Sequence, residues 1–148
     1  YIEALRMKNL YENWRSFLKE EAQIVPTREE MIAILNDNPD QKMYIDFPKG
    51  SMKRFGGSPV KLAFDYGEWT EFINPADGMG WDFVVVPSGD PGPNLVPVGH
   101  VAYLPRFKKK VGNDKIIIAP NGIYSDEDRR IVNDFYSIMK RFDDPVWY

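Results

Sequence analysis

Asp77-Gly78-Met79-Gly80-Trp81-Asp82-Phe83-Val84-Val85-Val86 sets a glycine-rich turn directly before a short apolar run. A run of this length, rich in β-branched and aromatic residues and bounded by turn residues, reads as a strand. The same pattern repeats outward on both sides. Before it come Met43-Tyr-Ile-Asp-Phe47, Val60-Lys-Leu-Ala-Phe64 and Trp69-Thr-Glu-Phe-Ile73. After it come Val96-Pro-Val-Gly-His-Val-Ala-Tyr-Leu104 and Lys115-Ile-Ile-Ile-Ala119. Pro, Gly, Asp and Asn separate these runs. Several short strands spaced by turns predict a mainly β fold, closed as a barrel rather than laid out as a parallel sheet.

Helices flank the strands, which makes the class α+β. Over residues 2–21, Ile2, Leu5, Leu10, Trp14, Phe17 and Leu18 fall on one stripe, as an amphipathic helix requires. Thr27-Arg-Glu-Glu30 is a capping box that starts a second helix, and Asn36-Asp-Asn-Pro39 stops it. Ser125 caps a third, with Asp128 three residues on and a stripe of Ile131, Val132, Phe135, Ile138, Met139 and Phe142. The expected organisation is one domain. Residues 1–38 form a helical N-terminal arm, packed on a barrel with a C-terminal helix over 39–148.

Composition narrows the function. The chain has 148 residues, 43% hydrophobic and 28% charged. Folded, a chain of this length hides roughly 68–70% of its unfolded surface. A net charge of −3 argues against a general nucleic-acid binder. No apolar run approaches a membrane span, so a cytoplasmic protein is expected. With no cysteine and a single histidine, His100, thiol chemistry and clustered His/Cys metal sites are excluded within one chain. The first residue is Tyr1, so a preceding segment is expected.

No Walker loop, G-x-G-x-x-G, G-x-S-x-G or H-E-x-x-H pattern occurs. Aspartates do recur at strand ends: Asp46, Asp65, Asp77, Asp82, Asp90 and Asp114. Carboxylates without His or Cys suit Mg²⁺ bound together with substrate phosphates; Asp is also an ordinary turn residue. Asp77 and Asp82, five residues apart, are placed to face one pocket. Arg106-Phe-Lys-Lys-Lys110 concentrates positive charge; it reads as a solvated hairpin tip or as an anion clamp. Ser88-Gly-Asp-Pro-Gly-Pro-Asn94 reads as a rigid connection. His100 sits inside a strand pattern and reads as a satisfied structural histidine. Trp14, Trp69 and Trp81 read as core.

In order, five segments resemble the soluble (family I) inorganic pyrophosphatases. Ile45-Asp-Phe-Pro-Lys-Gly-Ser51 is similar to the family's E-I-P-x-G-S strand, with Asp46 for the Glu. Just beyond it, Arg54 stands for the phosphate-binding Lys, and Phe55-Gly56 replaces Tyr-Glu. Asp77 to Val86 is similar to the metal-binding D-G-D-P-x-D-V-L-V, with Met79 at the central aspartate. Pro97-Val-Gly-His-Val101 resembles R-P-I-G-V, and Gly112 to Pro120 resembles D-x-K-I-I-A-V-P. Phe135-Tyr-Ser-Ile-Met-Lys140 resembles F-F-x-x-Y-K. The likeness spans about Met43 to Phe142.

The resemblance implies an OB-like barrel that hydrolyses pyrophosphate with Mg²⁺. It implies Asp46, Asp77, Asp82 and Asp114 as metal ligands, and Arg54, Lys115 and Lys140 as phosphate holders. Family members assemble, so a homo-oligomer is among the expectations. The departures are chemical. A thioether at Met79 neither takes a proton nor holds Mg²⁺. Where the family carries a further aspartate pair, this chain has lysines and Asn113. Asp77, Asp82 and Asp90 are the expected catalytic acids, Asp90 as a replacement. Two functions follow: Mg²⁺-assisted hydrolysis of pyrophosphate or a related diphosphate, or a non-catalytic relative that binds a phosphorylated ligand or a protein partner.

Overall fold

Phe83 and Val85 point to one side of their strand and Val84 to the other, and all three are fully buried. Alternation along a strand sends neighbours to opposite faces, so this strand has a core on each side. A computed structural model describes residues 27–37, 43–55, 57–73, 78–88, 94–102 and 114–148. The helix expected over 2–21, the Arg106–Lys110 tip, Asp77 and Asp90 lie outside the described residues.

Helix α1 (Arg28–Asn36) comes first, followed by β1 (Met43–Phe47), β2 (Met52–Arg54) and β3 (Pro59–Lys61). Then come β4 (Tyr66–Ile73), β5 (Gly80–Val85), β6 (Leu95–Val101) and β7 (Lys115–Pro120). Helix α2 (Asp126–Met139) and the short β8 (Val146–Trp147) end the chain. One six-stranded sheet runs in the order β1-β4-β5-β7-β6-β8, and β2 and β3 form a separate hairpin. All ladders of the large sheet are antiparallel except β5 with β7, which is parallel.

The mainly β class with helices at both ends is what the sequence implies. Among the described residues no ladder joins β1 to the β6–β8 side. The apolar runs explain how the sheet is covered. Phe83–Val86 and Ile116–Ala119 do not alternate apolar with polar, which is the pattern of strands buried on both faces. Phe83 and Val85 pack with Trp69, Trp81, Ile116 and Ile118, and Met31 and Leu35 of α1 cover them. Val84 and Val86 pack with Leu62, Phe64, Ile117 and Ala119, under Val132 and Tyr136 of α2. The central strands are sandwiched between two helices, and α1 shares a core with the sheet.

Both helix starts are chemically defined. Thr27 Oγ1 accepts from Glu30 N at 3.2 Å. Ser125 Oγ accepts from Asp128 N at 3.1 Å, and Asp128 Oδ2 accepts from Ser125 N at 3.0 Å, closing the capping box. Asp128 also accepts from Ser88 N at 2.8 Å and Ser88 Oγ at 2.5 Å, tying α2 to the end of β5. Burial pushes the Asp128 carboxyl up, but these bonds outweigh it and hold it below its ordinary range. Ser125→Ala is expected to cost about 1 kcal/mol, read as a lower midpoint in urea at unchanged slope. α2 ends at Lys140, whose φ of 53° is left-handed.

Boundaries shift where local pattern is weak. Of the expected strand over Val60–Phe64, only Val60 and Lys61 pair, in a strand that starts at Pro59, while Leu62 and Phe64 are buried outside any ladder. Among the described residues no helix is long and apolar enough to cross a membrane.

Candidate anion site

Register builds the site. Glu68 of β4 lies opposite Asp82 of β5, and Asp82 lies opposite Lys115 of β7. Asp82 and Lys115 share the strand face that carries Val84 and Ile117, the side covered by α2. There Lys115 Nζ donates to Asp82 Oδ2 at 2.8 Å; the lysine side chain is 3% exposed and the aspartate 32%. Burial pushes the Lys115 ammonium down, Asp82 pulls it back, and the balance lies below the ordinary lysine value. The Tyr66 hydroxyl lies beside the same carboxylate and feels its charge. Burial first, then the Asp82 charge, raises the Tyr66 pKa far above the tyrosine range.

Two further segments complete a cavity of about 190 Å³. The β2 end brings Lys53, Arg54 and Phe55, and the turn after α2 brings Arg141 and Phe142. Backbone bonds hold these segments: Asp143 N donates to Ala102 O at 2.8 Å, and Gly50 N to Leu62 O at 2.8 Å. Arg141 Nη1 donates to Phe55 O at 2.6 Å, joining the two walls. Lys53 Nζ stands 4.8 Å from the Phe47 ring centroid, 4.7 Å from Phe55 and 5.0 Å from Tyr66. Three ring faces fix that ammonium by cation–π attraction. The lining thus carries Lys53, Arg54, Lys115 and Arg141 against one carboxylate, Asp82, on a chain whose net charge is −3.

Of the site residues expected from sequence, Arg54, Asp82 and Lys115 meet in this cavity. Lys140 is exposed at the end of α2, and the cavity takes its neighbour Arg141 instead. Asp46 is exposed on β1, away from the lining. Asp114 is buried beside His100, 3.7 Å from its Nε2. Asp65 accepts from Lys49 N at 2.7 Å, a turn role. Met79 is exposed and does not line the cavity. Asp77 and Asp90 fall outside the described residues. Lys53, Tyr66 and Arg141 escape sequence reading: register and chain path bring them in, and no motif marks them.

The described lining residues do not by themselves make an Mg²⁺ site. That ion takes octahedral oxygen ligands, whereas Asp82 is the one carboxylate among the described lining residues and already accepts from Lys115. Among the described residues no three His, Cys, Asp or Glu side chains group as a metal site. The set suits direct recognition of an anion. Arginine presents a planar fork for phosphate oxygens, and lysine a compact point charge.

His100 is a core residue, as its strand pattern suggests, but neither ring nitrogen has a hydrogen-bond partner. Burial lowers its pKa to about 4. Between that value and the unfolded value near 6.5, the unfolded chain binds the extra proton. Stability therefore falls as pH drops through this window. The expected loss is about 2 kcal/mol between pH 7.5 and pH 5. Urea unfolding at the two pH values checks it, and His100→Gln should flatten the difference.

Compared with protein-family models, with curated proteins and with solved structures, the chain matches none.

Proposed function

We propose that this chain binds a small, multiply charged phosphorylated anion, with pyrophosphate as the representative ligand. One observation carries the reading: four cationic residues line a cavity that has a single carboxylate among its described lining residues. Opposite charge inside a partly desolvated cavity is worth far more than at an open surface. A net-acidic chain that concentrates cations at one point makes a focused anion site, not a general polyanion surface. Arg54 and Arg141 are the cavity's exposed cations, Lys53 is partly buried and Lys115 is buried.

The resemblance to pyrophosphatases supports the ligand class. Arg54, Asp82 and Lys115 come from three of its separate segments and line the same cavity. The sheet order supports the OB-like reading. With the β2–β3 hairpin and β8 set aside, five strands remain, with one parallel pair between antiparallel runs. A partly open, five-stranded Greek-key barrel is the OB-like architecture.

Binding is favoured over hydrolysis. Attack of water on a diphosphate requires charge neutralisation and an oriented, activated water. The cations serve the first need. Asp82, the one carboxylate among the described lining residues, is already engaged on Oδ2 by the Lys115 ammonium. Calorimetric titration of pyrophosphate in EDTA is expected to show saturable one-site binding that weakens with added salt. Phosphate release with Mg²⁺ is expected to stay at the level of an Asp82→Asn control. Binding that appears only with Mg²⁺, or Mg²⁺-dependent turnover that the control loses, would reverse the assignment in favour of the metal-assisted hydrolase.

A further inference from the structure

We infer that Asp82 occupies the cavity as an internal counter-anion, that the ligand displaces it from Lys115, and that the buried hydroxyl of Tyr136 receives the displaced carboxylate. The inference rests on the anion-binding reading above. It begins with Lys115, whose side chain is 3% exposed. A buried ammonium needs an anion beside it, and without a ligand that anion is Asp82, 2.8 Å away. An incoming phosphoryl group brings its own charge to the same ammonium, and two like charges in one cavity repel. Asp82, about a third exposed, is the partner with room to turn.

The second observation is a polar atom without an assignment. The Tyr136 hydroxyl is buried, and among the described residues no hydrogen-bond partner reaches it. An orphaned buried donor costs stability, and such groups in native folds call for a reason. The Tyr136 ring stands 5.2 Å from the ring of Phe142, which lines the cavity. Its hydroxyl also feels the Asp82 charge, which adds to burial in raising its pKa. The Tyr66 hydroxyl lies beside Asp82 as well. Two phenolic donors make a neutral seat for a carboxylate, and a neutral seat does not compete with the ligand for cations. Asp82 thereby sets a threshold: a strongly charged anion such as a diphosphate displaces it, and a monoanion does not.

The test is a double-mutant cycle read by pyrophosphate titration in EDTA. Asp82→Asn removes the internal competitor and is expected to tighten binding about tenfold. Tyr136→Phe removes one donor to a charged group and is expected to weaken it about tenfold. In the Asp82→Asn background Tyr136→Phe should leave affinity unchanged, because no carboxylate needs seating. The ligand-free Tyr136→Phe protein should melt no lower than wild type, since only an orphaned hydroxyl is lost. Weaker binding by Asp82→Asn, or wild-type affinity in Tyr136→Phe, overturns the inference. If Asp82→Asn does not fold, Tyr136→Phe decides alone: weaker binding at unchanged melting temperature supports the inference, and unchanged affinity overturns it. No pyrophosphate binding by wild type removes the anion-site reading itself, and this inference with it.

Discussion

Lys115→Met lowers pyrophosphate affinity about 100-fold, the scale of removing a charged partner from a desolvated contact. Methionine keeps the length and apolar stem of lysine, so the change isolates the ammonium. That ammonium is the most buried cation in the cavity and the one paired with Asp82 at 2.8 Å. Losing it does two things: one donor to the phosphoryl oxygens goes, and Asp82 is left in the cavity to repel the ligand. Arg141→Ala removes an exposed cation at the mouth and should lose no more than about tenfold. Calorimetry on the folded fraction, established by urea unfolding of the same samples, reads both variants. Equal losses from the two would mean that the cavity acts as a diffuse basic patch, without a buried anchor.

Phe83→Ala costs about 3–5 kcal/mol of stability, the range for emptying an aromatic from a tight core. Phe83 is fully buried in β5, and its ring centroid lies 5.1 Å from that of Trp69. Opposite it in the ladder is Gly67 of β4. A Cβ at Gly67 would clash with Tyr44 O of β1 and approach Phe83 Cζ to 2.6 Å. The glycine lets β1, β4 and β5 close up, and the Phe83 ring fills the space that its missing side chain leaves. Removing the ring leaves a cavity that α1 and the flanking strands do not refill, since the surrounding side chains are themselves close-packed. Chemical denaturation at constant pH measures the loss. A cost under about 1 kcal/mol would show that this side of the sheet is loosely packed.

Elements with strong local chemistry were legible in the sequence. Ser125 with Asp128 and Thr27 with Glu30 mark helix starts through side-chain bonds that need only nearby residues. The Phe83–Val86 and Ile116–Ala119 runs mark strands without ambiguity. They also carry a second message, burial on both faces, which the two cores on either side of these strands bear out. β2 and β8 are short and gain their pairing from tertiary context, so no periodicity announces them. The candidate site was legible in part for the same reason. Arg54, Asp82 and Lys115 belong to segments with a recognisable pattern. That Asp82 and Lys115 touch depends on the parallel register of β5 with β7, and this follows from the path through β6. Tyr66, Lys53 and Arg141 enter the cavity through register and chain path alone. Tyr136 lies on the expected apolar stripe side of α2, and only its buried, unbonded hydroxyl distinguishes it from an ordinary core aromatic.

The most direct test is a crystal structure grown with pyrophosphate in the presence of EDTA. The account predicts difference density for the anion between Lys53, Arg54, Lys115 and Arg141, with no metal bridging it to a carboxylate. Density seated elsewhere, or an anion bound only through a metal held by aspartates, would contradict it.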